Sequence, residues 1–141
     1  MTASSTLQQA IATITPFMPR SELFALRSNL TGEERAAFIT MFDDIATVIN
    51  TMPKTYQQRG KGDNAIVYLH YFLHASDWYI TEKDMEGDGT IQAFGFAHLN
   101  GDTQNAELGY ISIAELVKVG VELDLYWTAC TLAEIKERIG A

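Results

Sequence analysis

Apolar residues recur at three- and four-residue spacing up to Met52 and at two-residue spacing from Ala65 onward, and this change of period restricts the fold more than any other feature. The first spacing lines up side chains along one stripe of a helix, and the second along one face of a strand. Leu7, Ile11, Ile14 and Met18 make a short first stripe, ended by Pro16 and Pro19. Residues 21–30 carry Leu23, Leu26 and Leu30 on one side. Residues 31–50 form the longest helical pattern, with Phe38, Phe42, Ile45, Ile49 and Met52, widened by Met41 and Val48. Thr31 with Glu34 predicts a capping box at its start, and Pro53 stops it. Residues 54–64 (KTYQQRGKGDN) are polar, contain Gly60 and Gly62, and read as a linker inside one domain.

Beyond the linker the pattern is that of strands. Residues 65–73 (AIVYLHYFL) and 77–82 (DWYITE) pair around a turn at His74, Ala75 and Ser76. A loop over 83–89 leads to a third strand at 90–99, and Asn100-Gly101-Asp102 turns the chain into a fourth at 106–111. Ser112 with Glu115 opens a short helix reaching Val119, and 122–127 (ELDLYW) alternates as a fifth strand. That alternation sets Leu123, Leu125 and Trp127 on one face and Glu122, Asp124 and Tyr126 on the other. Thr131 with Glu134 caps a terminal helix that Gly140 closes. The expectation is an α+β fold in one domain over 1–141: N-terminal helices (1–53) packed on a four- to five-stranded antiparallel sheet, with a C-terminal helix. Such a sheet can leave its second face to solvent.

Charge adds a second restriction. The 141 residues hold 18 acids and 10 Lys or Arg, for a net charge of −8, while 47% hydrophobic content is too high for a disordered chain. Residues 1–60 are neutral, with five acids and five bases, and the remaining 13 acids and five bases lie in 61–141. Nine acids against two bases fall between Glu82 and Asp124. Phosphate binding needs a basic stripe, so neither direct nucleic-acid binding nor attachment to an anionic membrane is expected. No segment approaches the roughly 20 apolar residues of a membrane span. Residues 1–17 lack the pattern of a secretory signal, and with a single cysteine, Cys130, the chain reads as cytoplasmic.

Candidate chemistry is sparse. His70 and His74 have the spacing that joins two imidazoles to one metal on a helix, but in a strand they stand roughly 13 Å apart. A zinc site would need His98 or Glu82 to converge from a neighbouring strand. Residues 84–89 (DMEGDG) open like a calcium loop, yet Gly95 stands where the bidentate glutamate belongs, which favours a solvated hairpin loop. Cys130 and Ser112 are the candidate nucleophiles; neither lies in a nucleophile elbow or beside a histidine, and Ser112 has its capping role. Among 18 acids, a pair such as Glu82 with Asp84 needs no catalytic explanation. No catalytic residue, metal site or cofactor is expected.

The aromatic residues Tyr68, Tyr71, Phe72, Trp78, Tyr79, Phe94, Phe96, Tyr110, Tyr126 and Trp127 all fall in the predicted strands, where they suit a core or an interface anchored beside acids. Several of them lie in the segments MPKTY (52–56), YLHYF (68–72), DWYITEKDM (77–85), AFGFA (93–97), ELGYISIAEL (107–116) and ELDLYWT (122–128). Through these segments the chain resembles a bacterial family of unknown function found in plasmids, integrative elements and phage-related islands. That resemblance implies a mobile-element setting and supplies no mechanism. The expected function is a non-enzymatic acidic binding module that presents Glu82, Asp84, Glu86, Asp88, Asp102 and Glu107, with Trp78 and Tyr110 as anchors, to a basic protein surface. In a mobile-element setting that surface would belong to a host nucleic-acid-binding complex, the acids standing in for phosphates as in DNA-mimicking inhibitors of restriction or CRISPR systems. Two alternatives stay open. One is a small hydrolase or metal-dependent enzyme using His70, His98, Glu82 and Glu107; the other is a homodimeric accessory protein joined through Leu7, Ile11 and Ile14.

Overall fold

The computed structural model describes residues 3–141, with side chains from Thr6 onward. The helical half forms α1 (Ala3–Ile14), α2 (Arg20–Ser28) and α3 (Arg35–Thr51). Leu7, Ala10 and Ile14 of α1 are buried together with Phe42, Ala46 and Ile49 of α3, so the first stripe is used inside the chain. Pro16 sits in a 3-10 turn, Thr15–Phe17, that delivers buried Phe17 to the core. The capping box expected at Thr31 and Glu34 does not form. Thr31 lies in a 3-10 turn, Asn29–Thr31, and its hydroxyl donates back to the Ser28 carbonyl at 3.0 Å, so it closes α2 instead of opening α3. The third helix therefore starts at Arg35 with no side-chain cap.

Five strands make one antiparallel sheet: β2 (Leu69–Leu73), β3 (Ser76–Glu82), β4 (Ala93–His98), β5 (Glu107–Ile111) and β6 (Glu122–Leu123), in the order β5-β4-β3-β2-β6. A separate two-stranded ribbon pairs β1 (Ile66–Val67) with β7 (Cys130–Thr131). Helix α4 (Ile113–Lys118) starts at Ser112, whose hydroxyl accepts the Glu115 amide at 3.1 Å. At α5 (Leu132–Ile139) both halves of the Thr131 and Glu134 capping box are present, each at 3.2 Å, and Gly140 ends the helix at φ 77°. The protein is thus α+β, with helices first, an antiparallel sheet, and a helix at its C-terminal end.

Three strand expectations are corrected by long-range pairing. The run 65–73 breaks at Tyr68, because its first residues leave the main sheet to meet β7. The run 90–99 becomes a strand at Ala93, since the Thr90 carbonyl accepts the amides of Ile113 and Ala114 at the start of α4. The run 122–127 stops at Leu123, because the Asp124 carboxylate accepts the Tyr126 amide at 3.1 Å and bends the chain. That bend separates Trp127 from Leu123 and Leu125, which remain with the helix-side core.

Strand alternation makes two cores. Leu69, Tyr71, Ile80, Ala93, Ile111 and Leu123 pack with the helices, and the buried Tyr71 hydroxyl donates to the Phe17 carbonyl at 2.5 Å. On the other face Val67, Tyr79 and Phe96 lie beneath Leu132 and Ile135 of α5, with Trp127 alongside. Burial pushes the Tyr79 phenol up to about 12, and Asp77 adds to the rise. Part of the second sheet face is therefore covered.

Glu22 links α2 to the sheet edge by accepting the Leu123 amide at 2.9 Å. Burial pushes its carboxyl up to about 7; the Leu123 bond pulls the other way, and Glu122 and Asp124 push further up. The folded protein thus binds this proton more tightly than the unfolded chain, whose carboxyl titrates near 4.5. Glu22 contributes stability below that value and loses it as pH rises toward about 7. A Glu22→Gln variant keeps an acceptor for Leu123 and cannot ionise. Its melting temperature is expected to gain on the parent's steadily between pH 4.5 and 7. Parallel melting curves across that window would contradict the assignment.

Candidate functional site

A β-bulge builds the site. The register between β3 and β4 runs Tyr79 opposite Phe96 and Ile80 opposite Gly95, then shifts so that Glu82 stands opposite Phe94. Two consecutive residues of the bulged strand, Thr81 and Glu82, consequently line one cavity instead of pointing to opposite faces. Both are buried, at 1% and 4% exposure. The Thr81 hydroxyl donates to Glu82 Oε2 and lies 3.1 Å from the Phe94 carbonyl. Glu82 Oε1 has no hydrogen-bond partner among the described residues.

The cavity holds about 520 Å³. Phe94 and Leu108 supply walls from the sheet, and the opposite wall is the segment 54–64. Although polar in composition, that segment is tied to the sheet. The Thr55 amide donates to the Lys83 carbonyl at 2.7 Å, and the buried Gln58 side chain donates to the Ile66 and Thr81 carbonyls while accepting the Ile66 amide. These bonds hold Tyr56 at φ 80°, a left-handed conformation that a bulky residue adopts when its surroundings dictate it. The Tyr56 and Tyr110 hydroxyls meet at 2.6 Å, joining the segment to β5. That hydrogen bond is the main cause raising the Tyr110 phenol above its ordinary value. Tyr110 also packs edge-on against Phe94, with centroids 5.6 Å apart. On the far side of Tyr56 an open groove of about 570 Å³ is lined by Asp84, Met85, Glu86 and Ile91.

The structure gathers some of the expected interface residues and disperses others. Glu82, Asp84, Glu86 and Tyr110 surround Tyr56. Asp88 belongs to the same loop, but its carboxylate accepts the Thr90 amide and hydroxyl at 3.0 and 2.6 Å. Asp84 similarly accepts the Glu86 and Gln92 amides, so both carboxylates shape the hairpin loop. Glu107 is exposed on β5, where alternation turns it away from Leu108 and Tyr110. Asp102 sits at the other end of β4, in a turn where the Asn105 side chain and amide hold its carboxyl below the usual range. Trp78 is half-buried against the helix-side core.

The four residues of the enzyme alternative stand apart. His70 lies between two carboxylates, with Nε2 2.7 Å from Asp77 and Nδ1 3.0 Å from Asp124, and its ring stacks on Tyr79 at 4.8 Å. Carboxylate oxygens accept, so both contacts are hydrogen bonds together when both ring nitrogens carry hydrogen. His98 is buried two strands away, its Nε2 3.1 Å from the Thr103 hydroxyl. Glu82 is in the bulge cavity and Glu107 faces the other side of the sheet. Burial raises the Cys130 thiol, which reduces its thiolate fraction, and Ser112 is engaged as a cap. Among the described residues no group of three or more His, Cys, Asp or Glu is placed to hold a metal ion. No helix among them is long and apolar enough to cross a membrane.

Tyr56, Arg59, Thr81 and Leu108 were not singled out by sequence reasoning, and Phe94 was named only as one of the strand aromatics. Tyr56 falls in the MPKTY segment of the resemblance, which is the one signal that marked it. No family model, curated protein or solved structure matches the chain.

Proposed function

We propose that the protein is a non-enzymatic acidic binding module that takes up an extended basic segment of a partner protein along β5 and the Tyr56 groove. One observation carries this reading. The exposed apolar side chains of Met85 and Ile91 share a groove with Asp84 and Glu86, and Tyr56 joins that groove to exposed Leu108 and Tyr110 on an outer strand with β4 as its single sheet neighbour. An outer strand offers unpaired amides and carbonyls to an incoming strand, apolar side chains supply anchors, and carboxylates select and steer a basic sequence. The resemblance to a mobile-element family extends the proposal to an anti-defence inhibitor, whose basic segment would belong to a host nucleic-acid-binding complex.

The test uses a labelled Lys- and Arg-rich peptide of strand-forming sequence and a matched acidic peptide, measured by fluorescence polarisation. The basic peptide is expected to bind and to weaken by about tenfold or more between low salt and about 0.5 M salt. Asp84→Asn with Glu86→Gln, and separately Tyr110→Ala, should each weaken it several-fold. Equal binding of the acidic peptide, or binding indifferent to salt and to both variants, would refute the proposal.

A further inference from the structure

We infer that the cavity beneath Tyr56 is a site for a small zwitterion, a molecule with an ammonium group at one end, an anionic group at the other and an apolar body between. The inference does not rest on the docking surface, because it is carried by a different observation: two opposite charges line one cavity and neither is paired. Glu82 is 4% exposed and its Oε1 has no partner among the described residues. That oxygen keeps its accepting capacity open to the cavity, and an ammonium group entering there would pair with it through a charge-assisted hydrogen bond. The Thr81 hydroxyl gives its hydrogen to Glu82 and keeps lone pairs for a second N–H donor at the same floor.

Arg59 is exposed and lines the same cavity, with no ion pair and no side-chain hydrogen bond among the described residues. Its charge excludes two simpler ligand classes. A plain amine would satisfy Glu82 but meet the guanidinium, and a plain anion would satisfy Arg59 but meet the buried carboxylate. A molecule bearing both charges answers both groups. Phe94, Leu108 and Tyr56 add apolar and aromatic surface to the same lining, which fits a hydrocarbon body. A volume of about 520 Å³ lies within the range of small-molecule sites.

The probe is ε-aminocaproate, with hexylamine and caproate as singly charged controls, titrated by calorimetry and by amide chemical-shift mapping. Saturable binding of ε-aminocaproate is expected, with shifts at Tyr56, Thr81 and Phe94, and each control should bind about tenfold more weakly or worse. Glu82→Gln and Arg59→Gln are each expected to lose about tenfold or more in affinity. Arg59 is exposed, so that variant remains informative should Glu82→Gln disturb folding, which melting curves report. Glu107→Gln, on the opposite face of β5, should leave zwitterion binding unchanged. No binding of ε-aminocaproate, or binding unaffected by Arg59→Gln, overturns the inference. Hexylamine binding as tightly as the zwitterion overturns the role of Arg59. Basic-peptide binding that survives alongside any of these failures leaves the docking proposal standing. Zwitterion binding without peptide binding does the reverse.

Discussion

Replacing Gly95 with alanine is expected to destabilise the protein by about 3 kcal/mol or more. A Cβ at this position would lie 2.2 Å from the Tyr79 carbonyl oxygen and 3.0 Å from the Ile80 Cα. Both are main-chain atoms of the neighbouring strand, so no side-chain rotation relieves the clash, and β3 and β4 must part. They approach this closely because the bulge begins beside Gly95, at the register shift between Ile80 and Glu82. The same bulge places Thr81 and Glu82 in the cavity. Loss of stability should therefore be accompanied by loss of whatever the cavity binds. Gly109 is the internal control: it stands directly opposite Gly95 on β5, and a Cβ there meets nothing within 4 Å. Gly109→Ala should change stability by no more than about 0.5 kcal/mol. Urea unfolding of the two variants side by side decides the matter. Equal midpoints would mean that the close approach of β3 and β4 at Gly95 is not a feature of the folded protein.

Ile135→Ala is expected to destabilise by about 3 kcal/mol, and to do so locally. Helix α5 buries Leu132 and Ile135 and no other side chain, both at 1% exposure or less, and with Val67, Tyr79 and Phe96 they form the smaller core. A helix of eight residues does not persist without such packing. Ile139 is only partly buried against this core, the Leu132 amide donates to the Ala65 carbonyl at 2.8 Å, and the charged contacts, among them the Lys136 to Asp63 ion pair at 2.7 Å and the approaches of Lys136 to Phe96 at 5.6 Å and Arg138 to Trp127 at 5.9 Å, are of a kind that contributes little. The helix-side core does not include Ile135. In a Trp78→Phe background, Trp127 emission should shift to the red at lower urea than the main unfolding transition of Ile135→Ala. Coincident transitions would show that the two cores unfold together. Ile49→Ala in α3, where Ile49 is 2% exposed in the larger core, should lower the main transition with no separate Trp127 phase.

The elements that were legible in advance rest on short-range geometry. The stripes of Leu23 and Leu26, and of Phe42 and Ile49, are buried as their spacing requires. The Thr131 and Glu134 box lies within four consecutive residues and forms as expected. The turn at Asn100 and Gly101 also follows from local conformation, at φ 54° and 70°. Where a residue had a choice of partners, the reading failed. Thr31 carries the same capping signature as Thr131, but its hydroxyl turns back to Ser28. Alternation over 122–127 promised one strand, and the Asp124 carboxylate closed a turn instead.

The site was less legible than the fold, for the same physical reason. Glu82, Asp84, Glu86 and Tyr110 were named as acids and an anchor, yet Tyr56, which stands at their centre, lay in a segment that polarity alone marks as a linker. Strict alternation would send Thr81 and Glu82 to opposite faces, and a register shift against β4, an element more than ten residues away, brings them together. Asp102, Glu107 and Trp78 belong to the same acidic and aromatic half and lie elsewhere. Period, caps and the one-sided distribution of charge are set by residues within a few positions of one another, and they specify α+β with an acidic sheet half. Which acids share a cavity, which face α5 covers and where Tyr56 is held depend on contacts between segments far apart in the chain, whose energies appear when the sheet has closed.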